Sequence, residues 1–235
     1  MPAAAKPSPR PIKVLIVDDE RTFGEALELA LRQESDLRVV DVAVGGDDAV
    51  RAVDAYHPDV VLMDVAMPGM SGIEATRRIK EEDPEAQVLI LSGHEDPLLL
   101  ARAVQAGAVG LLRKTEAVVN VASSVRRAYR GEAIHDEDEV ETALRRLRHR
   151  REAEADAQSR LERLTPRERQ ILEQMATGAT PERIAQALRM SPHTLRTHMQ
   201  NILTKLGVHS KMEALVLAIR HDAVATVNLT EDAAG

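Results

Sequence analysis

Over the first half of the chain the apolar residues fall in five short runs: IKVLIV at 12–17, VVDVAV at 39–44, VVLMDV at 60–65, QVLILS at 87–92 and VGLLRK at 109–114. Runs that are apolar nearly throughout predict strands buried on both faces, hence a parallel sheet covered by helices. The segments between them carry apolar residues at helical spacing. One opens on Ser71-x-x-Glu74, the spacing of a capping box, and two close on Gly107 and Gly131, where a helix can end in a left-handed residue. Strand and helix alternating over 11–131 predict an α/β domain, a doubly wound five-stranded parallel sheet.

The pattern then changes twice. Residues 132–163 are mostly charged residues and Ala, punctuated by Leu144, Leu147 and Leu161, with Leu164 just beyond; Arg150, Arg151, Glu154 and Asp156 break any heptad seam, so a solvated linker helix is expected rather than a continuous coiled coil. From 164 to 222 the signals are all helical. Thr165-Pro166, Thr180-Pro181 and Ser191-Pro192 each pair an N-cap residue with Pro at the first helical position, and Ser210-x-x-Glu213 marks a fourth start near Lys211. Within this small all-α four-helix unit, Pro181–Arg189, the turn at Met190-Ser191 and the longer Pro192–Leu206 read as a helix-turn-helix. The longer helix should extend roughly 22 Å, a length suited to the DNA major groove. Residues 1–10, rich in Pro and Ala, are expected to be a disordered lead-in, and 223–235 a flexible tail.

At 235 residues the chain accommodates two domains. It has no Cys and no Trp, and its aromatic residues are Phe23, Tyr56 and Tyr129. Disulfides and thiolate metal sites are excluded, and a reducing, cytoplasmic setting is expected. The start lacks the apolar core of a secretory signal, and no apolar run approaches the ~20 residues that cross a bilayer, so no membrane partner is expected. The net charge of −7 conceals a division: 14 Lys and Arg face 21 Asp and Glu over 11–131, whereas 8 face 4 over 165–220. Only the second region is basic enough to approach nucleic acid.

In an open parallel sheet, chemistry gathers beyond the carboxyl ends of the strands. Asp18 and Asp19 follow the first run, Asp64 the third, Ser92 the fourth and Lys114 the fifth. Three carboxylates in one crevice call for a cation, and an all-oxygen set favours Mg²⁺. A strand-end Asp is a competent nucleophile for an aspartyl-phosphate, which an opposing Lys and hydroxyl can neutralise and hydrogen-bond.

VLIVDDE at 14–20, LMDVAMPGMSG at 62–72, LSGHED at 91–96 and LLRK at 111–114 resemble the receiver domain of bacterial response regulators. The resemblance implies that Asp64 accepts phosphate from a sensor histidine kinase, that Asp18, Asp19, Asp64 and the Ala66 carbonyl hold Mg²⁺, and that Ser92 and Lys114 contact the phosphoryl group. An enzymatic alternative, a phosphohydrolase on a similar scaffold, lacks a second acid after Asp64, where Val65 and Ala66 follow. No enzyme activity is expected.

Residues 164–218 resemble the helix-turn-helix of the LuxR, FixJ and NarL class through LTPRE, IA, TLRTH and ILTKLGV. Leu195, Ile202 and Leu206 should be core. Arg196, Thr197 and Gln200 are candidates for base edges, and His193, Thr194, Lys205 and Lys211 for phosphates. Two such modules on two half-sites would gain affinity, so a homodimer on double-stranded DNA is expected. Many receivers carry an aromatic residue near the start of the last strand, where this chain has Leu111. Two readings therefore stay open: an aliphatic reporter driven by phosphorylation through residues 92–107, or a phosphorylation-independent regulator using the receiver for dimerisation or ligand sensing.

Overall fold

The computed structural model describes residues 10–224 apart from 95 and 117. The chain divides by its internal contacts into two units, Met1–Leu147 and Arg148–Gly235. In the first, five parallel strands alternate with five helices: β1 (Ile12–Val17), α1 (Arg21–Leu31), β2 (Leu37–Ala43), α2 (Gly46–Tyr56), β3 (Val60–Asp64), α3 (Gly72–Glu82), β4 (Gln87–Ser92), α4 (Leu99–Gln105), β5 (Gly110–Arg113) and α5 (Val118–Tyr129). The sheet order is β2-β1-β3-β4-β5, with β2 and β5 at the edges.

The apolar runs are continuous because both faces are covered. Leu15, Val17, Val61, Met63, Val88 and Ile90 point into one core with Ala49 and Val53 of α2 and Ala75 and Ile79 of α3. Val14, Ile16, Val60, Leu62, Leu89 and Leu91 point into the other, with Leu27 and Leu31 of α1 and Val121 and Val125 of α5. β2 begins two residues before its expected start because Leu37 is buried. Arg38 and Asp41 are tolerated within it, since an edge strand keeps a partly open flank. Gly107 and Gly131 take the positive φ expected at helix ends.

The capping signals hold to different degrees. The Ser71 hydroxyl accepts from Glu74 N–H at 3.3 Å, but Glu74 pairs with Arg78 at 3.0 Å. The box at Thr165 is reciprocal, with Thr165 N–H donating to Glu168 Oε2 at 2.8 Å. Thr180, Ser191 and Ser210 each cap the helix that follows.

Helix α6 (Glu137–Glu162) contains the unit boundary. Its residues 148–156 are all exposed and laced by ion pairs such as Arg150–Glu154 and Asp156–Arg160. It is not solvated throughout, however. Ala143 and Leu147 are buried against Leu100 and Ala101 in the first unit. Leu161 and Leu164 join the core of the second, which contains α7 (Pro166–Ala176), α8 (Pro181–Ala187), α9 (Pro192–Leu206) and α10 (Lys211–Arg220). Most of the lead-in (1–9) and tail (225–235) lies outside the described residues. Arg10, placed in the lead-in from the sequence, pairs with Asp59 at 2.8 Å, and Val224, placed in the tail, is buried on the second core.

Candidate functional site

β1, β3, β4 and β5 deliver their carboxyl-end residues to one crevice of about 550 Å³, whose lining includes Glu20, Asp64, Ala66, Ser92, His94 and Lys114. Asp18 and Asp64 are buried, and Asp19 is exposed. Oxygens of the three lie within 4.8 Å of one another. Lys114 stands between two of them, its Nζ 2.7 Å from Asp18 Oδ2 and 3.0 Å from Asp64 Oδ2. Asp18 Oδ1 accepts the Glu20 N–H at 2.9 Å. Asp18 Oδ2 is met by the Lys114 ammonium alone among the described residues. Three carboxylates this close with one ammonium between two of them form an oxygen donor set that fits a hard divalent cation such as Mg²⁺.

Burial raises the Asp64 carboxyl above its ordinary range; Lys114 and the Ala66 N–H oppose the rise without cancelling it, and the Asp18 charge adds to it. For Lys114, burial works downward, but Asp18 and Asp64 outweigh it and the ammonium is stabilised. Phe23, the chain's one phenylalanine, lies under this cation with its ring centroid 4.8 Å from Nζ, a contact the strand-end pattern does not reveal. Gly72 is required here by space, since a Cβ at this position would come within 1.9 Å of the Asp64 carbonyl oxygen.

Ser92 reaches the crevice, but its hydroxyl donates to the His94 carbonyl at 2.9 Å and accepts the His94 N–H at 3.1 Å. The Ala66 backbone lies in the same wall, its N–H toward Asp64. Leu111 is half-buried, packed against α4 and α6 residues.

In the second unit, α9 buries Leu195, Ile202 and Leu206 as expected, and Met199 as well. His193, Thr194, Arg196, Thr197 and Gln200 are exposed along its first half, and Lys211 is exposed at the start of α10. Lys205 differs: its Nζ binds Glu168 Oε2 at 2.7 Å, joining the end of α9 to the capping box of α7. Its charge neutralises a carboxylate that is 2% exposed, while the Lys205 side chain itself stays one-third exposed. Burial alone would raise Glu168, but Lys205 and the Thr165 N–H and hydroxyl outweigh it and hold the carboxyl below its usual range.

Residues 14–126 match the response regulator receiver domain family, and residues 162–218 match the luxR family of bacterial regulatory proteins. The chain is similar to the response regulator protein VraR of Staphylococcus aureus, 33% identical over 213 residues that cover 91% of this chain and 99% of that one. Among solved structures, the signal receiver domain of the putative response regulator NarL from Mycobacterium tuberculosis is 31% identical with a TM-score of 0.51, covering 53% of this chain and 100% of that one. The response regulator ChrA, of a heme-sensing two-component system, is 28% identical with a TM-score of 0.51, covering 91% of this chain and 98% of that one.

Proposed function

This chain belongs to the response regulators that join a receiver to a LuxR-type DNA-binding domain and act as transcription regulators, and on that premise we propose that Asp64 is the residue a sensor histidine kinase phosphorylates. The observation that carries this reading is the Lys114 bridge, in which one ammonium serves two buried carboxylates, Asp18 at 2.7 Å and Asp64 at 3.0 Å. Asp18, Asp19, Asp64 and the Ala66 carbonyl would hold Mg²⁺, which when bound neutralises the carboxylates and draws phosphoryl oxygens into place.

The chain's own residues supply the rest. An ionised Asp64 oxygen forms the bond to phosphorus as the donor's phosphorus–nitrogen bond breaks and the imidazole leaves. Lys114 favours the ionised form of Asp64 against the cost of burial and then pairs with the incoming charge. Ser92 hydrogen-bonds a phosphoryl oxygen once its single proton turns from the His94 carbonyl.

The output is DNA binding by a homodimer in the cytoplasm. Arg196, Thr197 and Gln200 read base edges, while His193, Thr194 and Lys211 set register on phosphates. The domain limits proposed are 11–131 for the receiver, 132–163 for the linker and 164–222 for the DNA reader.

Intact protein given acetyl phosphate and Mg²⁺ should show a Phos-tag mobility shift that Asp64→Ala abolishes, with operator affinity rising in parallel. Leu111, at the position where many receivers carry an aromatic residue, favours a second reading in which the receiver acts without phosphorylation. A full mobility shift with unchanged DNA affinity would support that one.

A further inference from the structure

We propose that residues 134–147 form a clasp on the receiver whose release reports the state of Asp64, taking the place of the missing aromatic residue. The inference rests on the reading of Asp64 as phosphate acceptor and names how that site is read.

The clasp has two grips. His135 lies against the edge strand β5, its Nε2 3.1 Å from the Leu111 nitrogen and 3.0 Å from the Leu111 oxygen. Its Nδ1 is 3.0 Å from Glu139 Oε2. A proton on Nδ1 directed at Glu139 leaves Nε2 to accept the Leu111 N–H, so one ring joins the sheet edge to the first turn of α6. Ile134 closes over Gly110 so tightly that a Cβ there would meet it at 2.6 Å. The second grip is apolar: Ala143 and Leu147 are buried with Leu100 and Ala101 of α4, flanked by Leu98, Val104, Leu111 and Leu144.

Both grips attach to elements that end at the crevice. β5 carries Leu111 three residues before Lys114. Ser92 is tied to the His94 carbonyl, and Asp96 joins the following loop to α4 by accepting from Leu98 N–H at 2.8 Å and from Arg102 at 3.2 Å. A hydroxyl with one proton cannot serve both the His94 carbonyl and a phosphoryl oxygen. Turning Ser92 toward Asp64 therefore removes its bond to the His94 carbonyl, leaving only the His94 N–H on its oxygen, and loosens the loop that sets α4; α4 supplies half of the apolar grip. That grip is small, resting on one short helix, so a modest shift suffices to open it.

The test uses the full chain with Mg²⁺ and beryllium fluoride as the phosphoryl analogue, read by hydrogen exchange. Backbone amides at 137–147 should exchange roughly tenfold faster when the analogue binds, with reciprocal coupling making Leu147→Ala and His135→Ala bind it about fivefold more tightly. Two variants guard against one that fails to fold. Analogue binding with unchanged or slower exchange at 137–147, or with unaltered affinity in both variants, overturns the clasp. No binding by the parent chain, together with no Phos-tag shift, overturns the acceptor reading and the clasp with it.

Discussion

Each unit of the chain buries a carboxylate against a lysine, and the two sites end differently. Around Glu168 one acid has one lysine: Lys205 supplies the charge, Thr165 N–H donates to the same Oε2, and the acid is held below its ordinary range. Around Asp64 one lysine is shared by two carboxylates, and burial keeps Asp64 above its range. A satisfied pair locks two helices together. A cluster with one cation for two buried acids is the proposed place for a divalent ion and a phosphoryl group, and the difference is what a structural contact and a reactive one should show.

The largest expected effect that sharpens this contrast comes from Lys114→Ala. Leaving Asp18 and Asp64 buried without a cation should cost the first unit roughly 3–5 kcal/mol in denaturant melts with EDTA. Added Mg²⁺ should recover part of the loss, and no dependence on Mg²⁺ would count against the proposed cation site.

A smaller effect distinguishes the two acids by sign. Glu168 is depressed, so its contribution is present above the ordinary value of 4.5 and is lost as pH falls through the lower folded value. Asp64 is raised, so its contribution is complete below 3.8 and is lost as pH rises through the higher folded value. Without divalent cations, Asp64→Asn should be more stable than the parent at pH 7 by a few degrees in Tm, and Glu168→Gln less stable. Both differences should shrink on acidification, and equal signs at pH 7 would break the contrast.

The finest test concerns Lys205. Lys211→Ala should reduce the slope of log affinity against log salt by about 0.9, the share of one phosphate contact. Lys205→Gln should leave that slope unchanged and instead lower the stability of the second unit. A reduced slope for Lys205→Gln would return it to the DNA surface.

Much of this arrangement is legible in the sequence because its causes are local. Thr165, Thr180, Ser191 and Ser210 cap helices through a hydroxyl acting on an amide three residues later, which spacing alone reveals. Asp18, Asp64, Ser92 and Lys114 meet because parallel strands align their carboxyl ends, so topology converts position in the chain to position in space. What the sequence conceals depends on partners far along the chain. The separation of 37 positions between Glu168 and Lys205 hides a contact that pairs a charge of the basic region with a buried acid. Leu147 looks like a stray leucine in a solvated helix until α4 is seen beneath it. His135 carries no local signal at all, because its partner is the backbone of an edge strand 24 residues earlier.

Phe23 offers an unusual spectroscopic opportunity. It is the one phenylalanine in 235 residues, and its ring centroid is 4.8 Å from the ammonium that bridges Asp18 and Asp64. Biosynthetic replacement of phenylalanine by its fluorinated analogue would therefore place a single fluorine-bearing ring in the whole protein, beside the centre of the proposed chemistry. Fluorine NMR of the intact chain would then follow Lys114 through one resonance, free of overlap and without an added chemical tag.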